Sequence, residues 1–523
     1  MMNRLFYVAC CLLVCGIFTT QAQQNPVHFH NDLTLEDELL IRERMFANRM
    51  NRAAIMANRH FRSEDSTIYI PTQFHLIANT NGQGRATVEQ MLDNLCKINA
   101  DYADQNVQFY LKNPPNLINN DIMYINRDRN ITGYMMSLFK VPGAVNVFVG
   151  EESIREDGVG RLLGYYTPLY DCVYIIRSEL NSTSETLTHE LGHFFTLPHP
   201  FSGWEGVDPR TVVDSAGVVP PTIDGRAVEN VARGTADENC QSAADGFCDT
   251  KPNYNFGYYD PGCSLTIGTF YDPLGVRIET PDSNNYMSYY GDACTNEFTN
   301  EQKQAILTDV VSRGYDRLDI PKIEISNTPS IIWPTSTEPP HYPESFYLQW
   351  TAVAEATHYY VQVKRYINGV PIGTPVVDRI VTGTSMWISL EPNKDYGWTV
   401  KPINSYDIDC DNDFTTPISY FKTGDWSVGV DATAATIESS RIYPNPADKT
   451  TEIMLEINST ANTDAQISIY NSLGQVMMAN QEIRLVAGTN TQWIDVSMLN
   501  AGMYILNIGT VEGRISHKLM LNN

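Results

Sequence analysis

The sequence is poor in basic residues, in charged residues generally, and in long apolar runs. Lys and Arg number 36 against 61 Asp and Glu, which gives a net charge of −25, and charged residues make up only 19% of the chain. This deficit of positive charge argues against binding to nucleic acids or to anionic lipid surfaces. After the first segment no apolar run reaches the ~20 residues that cross a bilayer, so we expect no membrane span.

The length and the hydrophobic content of the chain are sufficient for several folded domains. The chain has 523 residues, of which 42% are hydrophobic and 11% aromatic. A typical size of about 150 residues per domain predicts three or four domains. The composition carries no signature of disorder over the whole chain.

Residues 1–23 have the three parts of a secretory signal peptide. Arg4 precedes an apolar stretch from Leu5 to Phe18, and the polar tail carries the small residue Ala22. A membrane anchor is the alternative, but the apolar stretch is shorter than the ~20 residues such an anchor needs. We therefore expect export through the periplasm and a secreted mature protein.

The cysteines fit an oxidising compartment. Three of the 10 lie in the signal segment, and the remaining seven are Cys96, Cys172, Cys240, Cys248, Cys263, Cys294 and Cys410. The four between 240 and 294 suggest two local disulfides. The alternative is a zinc knuckle, but these four cysteines contain no C-x₂-C pair of the kind such a site usually has. Because seven is odd, at least one thiol is unpaired or bonded elsewhere.

Residues 24–318 indicate a helical leader followed by an α/β domain. Residues 24–65 are polar and rich in arginine, which favours a leader helix or a removable pro-segment. From residue 66 to 318, short apolar strands at 68–77, 106–111, 144–150 and 172–176 are combined with helical patterns at 87–105 and about 183–196. Ser182 and Glu185 are placed to cap the second of these helices.

Beyond residue 320 the helical pattern is replaced by β alternation. Residues 320–424 predict a β-sandwich, and the run from Leu390 to Trp398 resembles the tyrosine corner of fibronectin type III domains. Residues 425–440 read as a linker. Residues 441–523 contain IYPNP, ISIYNSLGQVM, LNAGMYIL and a final KLML, which together resemble the C-terminal domain that sorts bacterial proteins into type IX secretion. This resemblance implies the type IX machinery as a partner.

The strongest chemical signal is the run from Thr188 to His199, THELGHFFTLPH. On a helix His189 and His193 share one face, so both rings can bind one metal ion, and Glu190 lies beside a bound water. His199 would be the third ligand, which leaves a fourth zinc position open for catalysis. Pro198 ends the helix where the chain must turn back.

This run resembles the zinc motif HExxHxxGxxH of the metzincin metallopeptidases. Thr196 stands where that motif has glycine, so we expect either a differently built turn or weakened metal binding. The segment NNYMSY, with Met287 and Tyr289, is similar to the metzincin Met-turn. The sequence CTNEFTNEQ from Cys294 and the DTKP at 249–252 resemble the pappalysin (M43) branch.

The resemblance also implies several site residues. It pairs Cys263 with Cys294 and Cys240 with Cys248. It places Asp292 in the pocket behind the scissile bond, where it would favour substrates with Arg or Lys. It implies a calcium-binding loop that contains Asp245 and Thr250.

Together these patterns predict a multidomain protein in which an α/β metzincin catalytic domain is followed by two all-β sandwich domains. The expected function is that of a secreted zinc-dependent endopeptidase acting on protein or peptide substrates. Zinc would activate the attacking water molecule, Glu190 would act as general base and Tyr289 would stabilise the oxyanion. The alternative is a surface binding or adhesion protein with a vestigial zinc site, suggested by Thr196 and by the long β-rich second half.

Overall fold

The structure is a computed structural model. It describes residues 28–29, 33–60, 67–154, 160–259, 262–263, 270–279, 281–318, 320–335, 346–424, 436–448, 452–471 and 474–522. The predicted signal peptide, 1–23, lies outside these residues, as does most of the predicted linker.

The first part of the chain alternates helices with short strands. Its helices are α1 Leu35–Ala57, α2 Val88–Asp101, α3 Asp121–Tyr124, α4 Arg129–Phe139, α5 Thr186–Phe194, α6 Pro209–Val212, α7 Phe256–Tyr259 and α8 Asn300–Ser312. Its strands are β1 His28–Phe29, β2 Ile68–Ala78, β3 Val107–Leu111, β4 Asn116–Asn119, β5 Ile125–Asn126, β6 Val145–Gly150, β7 Glu152–Ser153, β8 Arg161–Leu162, β9 Gly164–Thr167, β10 Cys172–Ile176, β11 Thr222–Ile223 and β12 Arg226–Ala227.

A central sheet with the order β3-β2-β6-β10-β9 forms the scaffold of this part, and β4 also pairs with β2. Its strands are parallel except for β9, which runs antiparallel to β10 at the sheet edge. Side chains alternate between two cores: Val147 and Val149 pack with α2 and α5, whereas Phe148 packs on the opposite face. Both faces are covered, which explains the continuous apolar strands.

Helix α5 begins later than the sequence predicts, and the predicted Ser182–Glu185 capping box was wrong. The N-cap is Glu185, which makes no side-chain capping bond. Its carboxylate instead lies 2.6 Å from Lys97 Nζ. The Thr186 N–H donates to the Ser184 hydroxyl, and the Asn181 side chain holds the preceding turn.

The middle part is a β-sandwich of two sheets, with the orders β13-β14-β17 and β16-β15-β18-β19. The Tyr396 hydroxyl accepts a hydrogen bond of 3.0 Å from the Glu391 N–H, the contact expected of a tyrosine corner. The strands are β13 Ile331–Trp333, β14 Phe346–Trp350, β15 His358–Ile367, β16 Val370–Val381, β17 Ser385–Ile388, β18 Asp395–Ile403 and β19 Ser419–Lys422.

The last part is a second sandwich, with sheet orders β20-β22-β25 and β21-β27-β26-β23-β24 around an aliphatic core. The predicted multidomain organisation with β-sheet domains in the second half is therefore confirmed. The strands are β20 Ile437–Tyr443, β21 Ala447–Asp448, β22 Glu452–Ser459, β23 Thr463–Asn471, β24 Val476–Leu485, β25 Gly488–Asp495, β26 Gly502–Thr510 and β27 Gly513–Asn522.

The first sandwich is attached firmly to the α/β part. Cys96 of α2 forms a disulfide with Cys410, and Ile403 and Ile408 join the main hydrophobic core. The Val88 N–H at the start of α2 donates to Asp378 of β16 over 2.7 Å. Within the described ranges, no helix has the length and apolar character needed to cross a bilayer.

Candidate metal centre

Helix α5 carries the first two histidines of the motif in a fully buried setting. All nine of its residues are buried, and Leu187 and Leu191 pack into the main core. This packing holds His189 and His193 on one face of the helix, one turn apart. The His199 ring, which follows the helix, stacks on Phe201 with centroids 4.6 Å apart.

The three rings point their Nε2 atoms at one another. The Nε2 separations are 3.1 Å for His189–His193, 3.1 Å for His193–His199 and 3.3 Å for His189–His199. Two nitrogens bound to one tetrahedral zinc at the usual bond length are about 3.3 Å apart. The cluster therefore has the spacing that zinc requires.

The other ring nitrogens fix the protonation state of the cluster. Nδ1 of His189 lies 2.7 Å from the Tyr286 carbonyl oxygen, and Nδ1 of His193 lies 2.7 Å from that of Leu197. Nδ1 of His199 lies 3.2 Å from Glu205 Oε1. Since a carbonyl oxygen can only accept, Nδ1 of His189 and Nδ1 of His193 each carry the proton, and an ionised Glu205 gives His199 the same tautomer. In that state three Nε2 lone pairs converge, a donor set that a cation satisfies.

The turn to His199 is left-handed although it contains threonine. Thr196 has φ = +75°, the conformation that glycine adopts in the related motif. Its N–H donates to His193 O over 3.0 Å, and the Leu197 N–H donates to Gly192 O over 2.9 Å. These are the two hydrogen bonds of a Schellman C-cap. The turn therefore has the left-handed form that a glycine would give, and the expectation of a differently built turn was wrong. Thr196 Oγ1 is buried and has no hydrogen-bond partner among the described residues.

Met287 lies directly beneath the metal-binding helix. Its side chain is fully buried, and an ideal Cβ placed on Gly192 would lie 2.3 Å from Met287 Sδ. Only glycine therefore allows this close approach. Two residues later, the Tyr289 ring lies 4.9 Å from that of His199, centroid to centroid, so the phenol borders the histidine cluster.

Asp101, which no sequence motif indicates, joins the two segments that hold His189. Thr188, next to His189, donates its hydroxyl proton to Asp101 Oδ2, and the Tyr286 hydroxyl donates to Oδ1 over 3.1 Å. Lys97 Nζ lies 2.5 Å from Oδ1. Asp101 thus fixes helix α5 and the segment around Tyr286 to the end of α2.

Glu190 is buried beside the cluster and has no side-chain hydrogen-bond partner within the described ranges. Burial raises its pKa well above the usual range, and Arg129 and the backbone of Tyr166 in β9 oppose this effect. Gly164 of the same edge strand lies against it, since an ideal Cβ there would be 3.0 Å from Glu190 Cγ. A buried carboxylate that no other side chain binds is suited to accept a proton from a ligand.

The remaining predicted residues belong to segments that follow the three histidines in the chain. Asp292 is half-buried in the turn from Gly291 to Cys294, and the structure forms the Cys263–Cys294 and Cys240–Cys248 disulfides. Asp245 is fully buried and accepts from the Thr250 hydroxyl over 3.1 Å. Asp245 Oδ2 and Glu229 Oε2 both lack a hydrogen-bond partner in the described part of the chain.

The first turn of α1 lies against the centre. Asp37 pairs with Arg129 of α4, whose Nη2 is 3.1 Å away, and Glu38 pairs with Arg226 of β12. Leu40, Ile41 and Arg44 of α1 line a cavity together with His193 and Thr196. The helix is also anchored to α8, because Arg44 and Asn48 each donate to Asp309 Oδ1 over 2.8 Å.

Comparison with known proteins identifies the last part of the chain. Residues 441–522 match the family described as secretion system C-terminal sorting domain. The last domain is a secretion sorting domain. The type IX sorting domain predicted from the sequence is thereby confirmed, and the protein is secreted or displayed at the cell surface.

The part that precedes the sorting domain is similar to metalloproteases. An extracellular metalloprotease of Colletotrichum graminicola is 26% identical over 259 residues, covering 46% of this chain and 74% of the relative. One of Verticillium alfalfae is 24% identical over 273 residues, covering 46% and 77%. A mutant promirolysin structure from Tannerella forsythia is 19% identical, with a TM-score of 0.34, and covers 54% of this chain and 94% of its own. The predicted resemblance to metallopeptidases is confirmed by the two extracellular metalloproteases.

Proposed function

We propose that the protein is a secreted zinc endopeptidase of the pappalysin type. The observation that carries this proposal is the convergence of three histidine Nε2 atoms beside a buried carboxylate that no other side chain of the described residues binds. A binding protein has no use for such a carboxylate, so the enzyme is favoured over the adhesion alternative. His189, His193 and His199 would hold the ion, which when bound supplies a Lewis acid and lowers the pKa of water.

Residues of the chain have separate roles in the proposed hydrolysis. Glu190 accepts a proton from the attacking water and later passes it to the leaving amine. The Tyr289 phenol donates to the oxygen on which negative charge develops. The strand β9, at which the described sheet ends, would add an extended substrate as a further strand beside Glu190.

We also assign the segment 24–65 as a pro-segment. Its helix α1 shares a cavity with His193 and Thr196, and its Asp37 and Glu38 pair with Arg129 and Arg226. A substrate and α1 would compete for this space, so the chain is latent until the segment is cut. We further propose that its arginines make it a substrate of this enzyme, since Asp292 would favour Arg or Lys after the scissile bond.

A calcium ion is proposed at Asp245 and Thr250. The two side chains touch, and the unpartnered oxygens of Asp245 and Glu229 are the hard ligands that calcium prefers. We assign residues 66–318 as the catalytic domain and 320–424 as a fibronectin type III-like domain. Residues 425–440 are the proposed link to the sorting domain at 441–523.

A peptide-library digestion tests the proposed activity. The secreted protein is compared with Glu190→Gln, which keeps the side-chain shape but removes the base, and with Asp292→Asn. We expect cleavage that Glu190→Gln abolishes, with Arg or Lys following the cut in a manner that depends on Asp292. N-terminal sequencing of both secreted forms tests self-processing, and an identical mature end in Glu190→Gln would exclude it. Library cleavage that persists in Glu190→Gln would contradict the proposed mechanism.

A further inference from the structure

Helix α1 is attached to the rest of the chain along two stretches that contact different elements. The first stretch is the first turn, whose two acids pair with Arg129 of α4 and Arg226 of β12. The second stretch, from Arg44 to Arg49, packs on helix α8 and on the loop 244–247. Because its partners are separate from those of the first turn, the second stretch is an anchor of its own.

Asp309 of α8 is a buried acceptor that is already in place for this anchor. Its side chain is fully buried, and its Oδ1 accepts from Arg44 Nε and from Asn48 Nδ2, each over 2.8 Å. Its Oδ2 accepts from Arg313 Nε over 2.7 Å, and Arg313 also donates to the Phe194 carbonyl oxygen. The bond between Asp309 and Arg313 does not involve α1, so it holds the acceptor in position before the helix binds.

The loop 244–247 supplies further contacts to the same stretch. Arg49 donates to the Gly246 carbonyl oxygen over 2.8 Å, and its guanidinium carbon lies 5.4 Å from the centroid of the Phe247 ring. Met45 is only 2% exposed, and its Cε lies 3.2 Å from an ideal Cβ placed on Gly246. A hydrogen bond, a cation–π contact and a buried methionine therefore add to the contacts with α8.

The helix also has features that stabilise it as a separate peptide. The Thr34 side chain accepts from the Asp37 N–H over 3.1 Å as an N-cap, and three acids occupy the first turn, where they interact favourably with the helix dipole. Glu38 Oε1 and Arg42 Nε lie 2.9 Å apart as an i,i+4 ion pair. With 23 residues the helix is longer than the ~12–15 residues below which isolated helices are marginal. The docked conformation is therefore accessible to the peptide without the rest of the chain.

We propose that α8 and the loop 244–247 form a docking surface for helix α1 as a separate peptide. A cut between α1 and β2 ends the covalent connection to the catalytic domain but removes none of these contacts. The connection gives the helix an effective concentration on the order of millimolar at its site, and after the cut its own affinity determines whether it stays. The helix remains bound and keeps the centre closed until it is itself cut or diluted. This proposal rests on the proposed function, in which α1 and a substrate compete for the cleft.

A site-specific cut tests the docking surface directly. The recognition sequence of an unrelated protease is inserted after Arg62 of the full chain in a Glu190→Gln background, so that only the added protease cuts. Gel filtration then shows whether the fragment that contains α1 elutes with the rest of the protein. We expect co-elution, also in the control Glu43→Gln, whose side chain is exposed. The fragment should separate when Arg44→Gln is combined with Asn48→Ala.

Synthetic peptides of residues 33–58 give the relative affinities. A labelled wild-type peptide exchanges with the fragment on the cut protein, and unlabelled peptides compete with it in fluorescence anisotropy. Loss of one hydrogen bond to a charged acceptor should weaken competition by Arg44→Gln and by Asn48→Ala about tenfold each. Glu43→Gln should compete like the wild-type peptide, and circular dichroism checks that the peptides have equal helicity. The wild-type peptide should also lower the kcat/KM of the processed enzyme.

Separation of the wild-type fragment after the cut, or a scrambled peptide that competes as well as the wild-type peptide, would overturn the proposal. So would a wild-type peptide that binds the processed enzyme without lowering its kcat/KM. A processed protein that binds the peptide but has no peptidase activity in its absence would count against the proposed function instead, and it would leave the docking surface in place.

Discussion

Cys96 and Cys410, 314 positions apart, form a disulfide that fastens the first β-sandwich to helix α2. The same helix ends at Asp101, which holds Thr188 and Tyr286 next to the metal centre. The sandwich is therefore continuous with the framework of the active site, in contrast to a domain carried on a flexible linker.

The double substitution Cys96→Ser with Cys410→Ser should loosen this attachment. Closing so long a loop restricts the unfolded chain, and the disulfide should contribute about 4 kcal/mol to the free energy of unfolding. Calorimetry should show a lower melting temperature and a separate transition for the sandwich. The buried free thiol of Cys172 provides the control: in Cys172→Ala the sandwich should still melt together with the α/β part, and the same result in the double variant would contradict the coupling.

Replacing Thr196 with glycine should stabilise the turn after α5. A left-handed conformation costs a residue with a Cβ about 1–2 kcal/mol, and Thr196 has φ = +75°. Thr196→Ala removes the unpartnered hydroxyl but keeps the Cβ, so it separates the two effects. We expect the glycine variant to melt at a higher temperature than both wild type and alanine. Equal melting of the glycine and alanine variants would show that the turn is unstrained.

Much of the fold and the centre follows from local pattern. The apolar strands, the amphipathic face of α2 and the helical spacing of His189 and His193 are each encoded within a few residues. Pro198 marks the end of the helix. These features need no knowledge of distant contacts.

Other features depend on contacts that no local pattern records. The Cys96–Cys410 pairing, the role of Asp101 and the bond from Glu205 to His199 each join segments or atoms that no spacing rule connects. The capping box failed for a related reason, since Glu185 is drawn to Lys97 of another helix. The left-handed Thr196 shows that hydrogen bonds of the surrounding turn can outweigh a residue's own preference.

Asp101→Ala should weaken metal binding without touching a ligand. The substitution releases the side chains of Thr188 and Tyr286. Thr188 precedes His189 in the helix and the Tyr286 carbonyl oxygen contacts its Nδ1, so both residues orient this ring. Loss of such an outer contact lowers metal affinity by about tenfold to a hundredfold. Competition with a zinc-sensitive dye measures the change. Asp104→Ala removes an exposed acid near the same helix end and should have no effect, and unchanged affinity in Asp101→Ala would contradict the positioning role.

Calcium should stabilise the protein more strongly at pH 8 than at pH 5. Burial raises the pKa of Asp245 to about 7, and burial beside Asp245 raises that of Glu229 as well. Asp245 keeps its proton to a higher pH in the folded state than in the unfolded state. The free energy of unfolding without calcium therefore falls as the pH rises from about 4 to 7. Calcium replaces that proton, so its effect grows over the same range.

Melting temperatures with and without millimolar calcium check this prediction. Asp245→Asn should remove both the calcium effect and the fall in stability between pH 4 and 7, while the exposed Asp237→Asn should preserve both. A calcium effect that is equal at the two pH values, or that survives in Asp245→Asn, would place the ion elsewhere.

Zinc titration of the metal-free, processed protein tests the central claim most directly. Activity on a cleaved peptide should rise linearly with added zinc and level off at one ion per chain. Glu190→Gln should bind the same single ion and stay inactive, because only the proton acceptor is lost. Activity that survives zinc removal, or full zinc binding after His199→Ala, would contradict a hydrolytic centre built from these three histidines and Glu190.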